Sequence, residues 1–207
     1  MSELPSGTVT FLFTDIEGST RLWEKFPEAM RQALARHDAL LREAIENNNG
    51  HLVKSTGDGL LAVFATAPET LQAAFSAQQA LHQERFEQIG SLQVRMALHT
   101  GAAEERDNDY FGPALNRAAR LLAIGHGEQV LLSMPAEELV KGNLPEGCAL
   151  RDMGSHRLKD LSQPEHVFQL IHPDLPSEFP PLRSLQAFAN NLPMQLTSFI
   201  GREKESE

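Results

Sequence analysis

The chain has 207 residues, 41% apolar and 22% charged, enough for one well-cored globular domain plus a tail and too few for two full domains. Its formal net charge of −10 argues against long-range attraction to nucleic acid or to an acidic membrane surface. No apolar run approaches the ~20 residues that span a bilayer, and Met1 to Gly7 lacks the basic-then-apolar pattern of a signal peptide.

In chain order, Thr8 to Thr14 is rich in β-branched and aromatic residues and nearly unbroken, which predicts a strand buried on both faces. A helical stretch follows, interrupted near Pro27, which suits the first turn of a longer helix running through Leu34, Leu40, Leu41 and Ile45. Asn47 to Gly50 ends that helix with a capping and turn signal. His51 to Thr56 and Leu60 to Ala65 are two short strands joined through Gly57-Asp58-Gly59, a hairpin signal. Pro68 to about Phe86 is an amphipathic helix rich in Ala, Gln and Leu. Gln93 to Ala103 is a strand, Gly112 to Ile124 a helix and Glu128 to Ser133 a strand. Short strands and turns fill the remainder to about His172.

The order β-α-β-β-α-β, then α-β and a small β appendix, predicts an α+β fold with a ferredoxin-like core. From Pro173 onward prolines cluster at Pro173, Pro176, Pro180, Pro181 and Pro193, marking a linker. The expected organisation is a folded domain over 1–173 and a Pro-containing segment over 174–207.

Three groups of residues could carry chemistry. Asp15 directly follows the first strand and Asp58 sits at the hairpin tip. In a split β-α-β sheet both carboxylates can reach one edge, where they repel unless a hard cation such as Mg²⁺ or Mn²⁺ lies between them. Taken singly, Asp15 reads as a helix cap and Asp58 as a turn residue. Asn116 and Arg120 are one helical turn apart, with Leu115, Ala119 and Leu122 packing inward; taken alone the pair reads as a solvated helix face, and otherwise as an amide and a guanidinium suited to a ribose and a phosphate. Lys54 is a cation within an apolar strand, either an edge charge or a donor aimed into a pocket. The eight histidines are scattered without zinc-site spacing, and the one cysteine, Cys148, permits no internal disulfide and fits a reducing cytoplasm.

Phe13-Thr14-Asp15-Ile16-Glu17-Gly18-Ser19-Thr20, Lys54-Ser55-Thr56-Gly57-Asp58-Gly59 and Asp109-Tyr110-Phe111-Gly112 through Asn116 and Arg120 together resemble the catalytic domain of class III adenylyl and guanylyl cyclases. The resemblance covers about residues 7–172. It implies a palm-like fold, with Asp15, Asp58 and the carbonyl of Ile16 as ligands of two Mg²⁺ or Mn²⁺ ions per site. Lys54 and Asp109 would read the base, and Asn116 and Arg120 would position the ribose and stabilise the reacting phosphate. It further implies sites completed across a homodimer.

Asp109 as acceptor and Lys54 as donor match adenine and mismatch guanine, so ATP is the expected substrate. Asp107 is a second candidate for the acidic position, and spacing to Gly112 favours Asp109. Residues 191–204 resemble the lead-in to a STAND-type ATPase domain, which implies a fused C-terminal regulatory domain. The Gly-Gly-acidic-acidic-Phe hairpin of diguanylate cyclases is absent. The alternative on the same fold is a catalytically silent module that binds nucleotide or only dimerises.

Overall fold

The computed structural model describes residues 4–185. The expected 191–204 lead-in lies outside them. The elements are β1 (Gly7–Ile16), α1 (Ser19–Lys25), α2 (Pro27–Asn47), β2 (His51–Ser55), β3 (Leu60–Phe64), α3 (Ala67–Gln83), β4 (Val94–Arg106), β5 (Asp109–Phe111), α4 (Pro113–Ile124), β6 (Val130–Ser133), α5 (Met134–Val140), β7 (Ala149–His156) and β8 (Glu165–Ile171). The strands form one sheet in the order β2-β3-β1-β4-β6-β8-β7, with β5 paired to the outer part of β4. Neighbours are antiparallel except β4 and β6. The β2-β3-β1-β4 portion is the ferredoxin-like core that the element order predicts, and the fold is mixed α+β.

β1 is central because both of its faces are apolar. Leu12 and Ile16 join Leu60, Ala62, Phe64, Met96 and Leu98 under α2, α3 and α5. Val9 and Phe11 join Leu61, Val63, Tyr110, Ala114 and Ala118 under α4. With both faces packed, a slip in register would misplace fitted side chains on either side of the sheet. The ten-pair ladder from Gly7↔Ala103 to Ile16↔Val94 follows. Pro27 occupies the first turn of α2, where its missing N–H costs nothing. Thr66 caps α3 by accepting from the Glu69 N–H, while its hydroxyl donates to the Glu69 carboxylate.

Three details depart from the sequence expectation. β4 runs to Arg106, beyond Ala103, and its extension pairs with β5 as a projecting hairpin. α5 occupies Met134–Val140, where short strands and turns were expected; seven residues carry too little periodicity to declare a helix, and it forms because Ala136 and Val140 bury against the core. The β appendix is present as β7 and β8, and it continues the main sheet because β8 pairs with β6.

Residues 173–185 lie back on the domain. Leu182 is buried against Leu121, Leu131 and Leu158, and Arg183 N–H donates to the Ile124 carbonyl at 3.0 Å. No helix among the described residues is long and apolar enough to cross a membrane.

Candidate active site

The end of β1 and the β2–β3 turn are stitched together by backbone contacts. Ile16 N–H donates to the Asp58 carbonyl at 3.2 Å, and Leu60 N–H donates to Thr14 Oγ1 at 3.0 Å. Gly57 holds a left-handed φ of 97°, and Thr56 N–H closes the turn on the Gly59 carbonyl at 2.8 Å. Gly59 is pressed against β1 so closely that a Cβ there would lie 1.9 Å from the Thr14 carbonyl oxygen. Only glycine allows that approach. Asp15 and Asp58 are thereby brought to one edge of the sheet, as the sequence predicts for them jointly.

Each carboxylate has a partner. Ser19, at the start of α1, donates its hydroxyl to Asp58. Arg95, directly across the β1–β4 ladder from Asp15, grips that carboxylate with Nε (2.6 Å) and Nη2. Burial alone would lower the Arg95 pKa, but Asp15, Glu17 and Asp58 together outweigh it and hold the guanidinium pKa above its ordinary value. Glu17 accepts from Gly127 N–H at 2.6 Å and from Arg183. Burial raises its pKa, and Arg183, Gly127 and Arg95 together bring it below the usual carboxylate range.

Among the described residues no group of three or more His, Cys, Asp or Glu side chains converges as a metal cage. The carboxylates of Asp15 and Asp58 offer hard oxygens, and the resemblance adds the carbonyl of the adjacent Ile16. Such a set would fit a hard divalent cation such as Mg²⁺ or Mn²⁺. The edge already draws a cation in the form of the Arg95 guanidinium.

The second expected pair also meets. Lys54 Nζ lies 2.8 and 2.6 Å from the two oxygens of Asp109. Lys54 stands opposite Leu61 in the β2–β3 register, hence on the α4 side of the sheet. Asp109 begins β5 and also accepts from Tyr110 N–H at 2.8 Å. Lys54 and that N–H hold its carboxyl below the usual range. Asp107 and Asn108, with φ of 55° and 59°, form the two-residue turn between Arg106 and Asp109. Asp107 is therefore exposed at the hairpin tip, and Asp109 is the acid that faces Lys54. Tyr110 anchors the hairpin: its hydroxyl donates to the Pro5 carbonyl at 2.5 Å, and its ring meets Phe11 edge-on at 5.4 Å.

Asn116 and Arg120 lie on α4, whose first turn holds Pro113 and whose buried face is Ala114, Ala118, Leu121, Leu122 and Ile124. Of the expected inward set, Leu122 is buried and Leu115 packs half-buried beside Ala114 and Ala118, whereas Ala119 is exposed and Ala118 packs in its place. Asn116 stands exposed, and Arg120 Nη2 donates to Asp160 at 2.7 Å. Among the described residues, no hydrogen bond or ion pair joins Asn116 or Arg120 to Asp15, Asp58, Lys54 or Asp109.

Arg95, Glu17, Arg183 and Asp160 are site neighbours that sequence reasoning missed. For Arg95 a signal existed: it is a cation in an apolar strand, as Lys54 is.

A family model described as the adenylate and guanylate cyclase catalytic domain matches residues 1–171. The chain belongs to that family. It is 40% identical over 204 residues to an uncharacterised protein of Mycobacterium tuberculosis, covering 97% of this chain and 69% of that protein. It is 29% identical over 221 residues to an adenylate cyclase of Podospora anserina, covering 80% of this chain and 10% of that much longer enzyme. Among solved structures, one of the adenylate cyclases of Trypanosoma brucei in their monomeric state superposes with a TM-score of 0.76 at 25% identity, covering 88% of this chain and 95% of that one.

Proposed function

We propose that this cyclase domain is an adenylate cyclase that converts ATP to 3′,5′-cyclic AMP and pyrophosphate at sites shared across a homodimer. The observation that carries the substrate choice is the Lys54–Asp109 contact at 2.6 Å. Adenine offers an N6 donor for Asp109 and an N1 acceptor for Lys54. Guanine reverses both groups, and each buried mismatch costs ~1–3 kcal/mol. The name of the Podospora anserina relative points the same way.

In this reading Asp15, Asp58 and the Ile16 carbonyl hold two Mg²⁺ or Mn²⁺ ions. When bound, these ions supply Lewis-acid stabilisation of the triphosphate and acidify the ribose 3′-hydroxyl. Lys54 and Asp109 orient the base, and Asn116 fixes the ribose so that the 3′-oxygen faces the α-phosphorus. The 3′-oxygen forms the new bond to the α-phosphorus while the bond to the β-phosphate bridging oxygen breaks. Pyrophosphate departs, and the hydroxyl proton passes to solvent. Arg120 stabilises the charge that grows on the α-phosphate oxygens.

The homodimer is supported by the exposed Asn116 and half-buried Arg120 on α4, which among the described residues share no hydrogen bond or ion pair with the carboxylate edge of their own chain. A reducing cytoplasmic location, supported by the lone Cys148, and a regulatory domain after the 174–207 segment complete the proposal. The second reading is a silent module that binds nucleotide or only dimerises. Its favouring observation is that Arg95 engages both oxygens of Asp15.

The deciding experiment is cyclic AMP and cyclic GMP formation from ATP or GTP, with Mg²⁺ and Mn²⁺ in turn and Asp58→Ala as background. Cyclic AMP from ATP alone, lost in Asp58→Ala, is the expected result. A folded dimer that makes no product at high concentration would leave the silent module standing.

A further inference from the structure

Arg95 and Asp15 are locked as partners by more than side-chain reach. They are opposite each other in the β1–β4 ladder, one pair before its end, so their stems cannot drift apart without unzipping the sheet. Both side chains are mostly enclosed, at 18% and 25% exposure. The Arg95 fork takes one oxygen with Nε and the other with Nη2. Glu17 is already answered by Arg183 and the Gly127 N–H. Among the described residues, the Asp58 carboxylate has only the neutral Ser19 hydroxyl as its side-chain partner. The edge therefore holds two carboxylates and one guanidinium, one negative charge in excess, with the cation seated on Asp15 alone.

We propose that Arg95 is the resident counter-ion of this carboxylate pair, and that a divalent ion reaches Asp15 by displacing the guanidinium. A carboxylate offers about four lone-pair positions, and Arg95 fills one on each oxygen. A divalent ion seated on Asp15 must take one of those positions or lie against a fixed positive charge. Either way Arg95 opposes it, and nucleotide phosphates supply the extra negative charge that tips the exchange. Arg95 thus holds the Asp15 carboxylate oriented toward the edge in the nucleotide-free protein. It also keeps divalent-ion affinity low until nucleotide arrives.

This inference rests on the assignment of Asp15 and Asp58 as metal ligands, and its test separates the two. Mn²⁺ binding is measured without nucleotide on the full chain, from loss of the free-ion electron paramagnetic resonance signal, for wild type, R95Q, R95K, D15N, D58N and R95Q/D15N. R95Q should bind Mn²⁺ about ten-fold more tightly than wild type, on the scale of one removed neighbouring charge. R95K keeps the charge, loses the fork and should fall between them. R95Q/D15N should lose the gain, which places the effect on Asp15.

Folded R95Q that binds no more tightly than wild type overturns the counter-ion role. If R95Q does not fold, R95K binding no more tightly than wild type overturns it instead. Mn²⁺ binding that D15N and D58N leave untouched would sink the metal assignment itself, and this inference with it.

Discussion

Lys54 and Asp109 are 55 residues apart in the chain, yet the ammonium sits 2.6 Å from the carboxylate across two separate hairpins. One partner is on the strand beside the Gly57-Asp58-Gly59 turn, and the other is on an arm projecting from β4. Neither hairpin needs the contact for its own pairing. In the proposed function the pair would exchange its mutual ion pair for the edge of a base.

If Lys54 and Asp109 choose the base, the double substitution Lys54→Glu/Asp109→Ser should reverse the preference. Each group mismatched to adenine costs ~1–3 kcal/mol, so kcat/KM for ATP should fall by about 10²-fold or more. Activity with GTP should rise relative to ATP. Product analysis by chromatography with both substrates checks this, and an unchanged ATP:GTP ratio would remove the pair from base selection.

Gly59→Ala tests how the carboxylate edge is assembled. The added methyl would lie 1.9 Å from the Thr14 carbonyl oxygen, which is backbone and cannot rotate away. The β2–β3 turn must then separate from β1, breaking the Ile16-to-Asp58 and Leu60-to-Thr14 hydrogen bonds. A loss of about 2–4 kcal/mol is expected, read as a lower urea midpoint. Gly57→Ala has open space for its methyl and should suffer mainly from its φ of 97°, a smaller loss of about 1 kcal/mol.

Much of this architecture is legible in the residues. β1, the β2–β3 hairpin and α2 are each declared by local chemistry: an unbroken β-branched run, an Asp-Gly turn, and a proline-opened helix ending at an Asn-Gly signal. The pairing of Lys54 with Asp109 follows from the family resemblance, and the Asp107-Asn108 turn supplies the physical reason that Asp109 is the one turned inward. The Arg95 grip on Asp15 is not legible, because it depends on which residue of β4 stands opposite the end of β1. Such register is a property of the paired strands and not of either alone. The Glu17–Arg183 contact, across 166 residues, is likewise invisible to any local pattern.

His99 provides a pH test. It is buried in β4, exchanges a 2.8 Å hydrogen bond with Ser133 Oγ, and faces the positive field of Arg117. Burial first, and Arg117 second, push its pKa down to about 4. The unfolded chain titrates this group near 6.5, so between these values the unfolded state binds the extra proton, and stability rises with pH and is lost as the pH is lowered. The contribution is fully present above about pH 6.5 and is lost progressively down to about pH 4, for a total of about 3 kcal/mol. Urea unfolding from pH 4 to 7.5 should show a shallower acid decline for His99→Gln than for wild type. Parallel curves would mean that His99 is not the group responsible.

The proposed shared site makes a prediction about mixtures. Asn116 is exposed on α4 and Arg120 is paired with Asp160, while among the described residues no hydrogen bond or ion pair joins either to Asp15 or Asp58. If one site takes its carboxylates from one protomer and its amide and guanidinium from the other, Asp15→Ala and Arg120→Ala should each be nearly inactive as pure proteins. In a mixed dimer both defects fall into one site and leave the other intact. With equal amounts and free exchange about half the dimers are mixed, so activity should recover to about a quarter of wild type by the symmetry of a two-fold dimer. Cyclic AMP formation after co-refolding, with exchange verified through differently tagged protomers, measures this directly. Verified exchange with no recovery would mean that each chain builds its site alone, and the exposed Asn116 and half-buried Arg120 would then need another explanation.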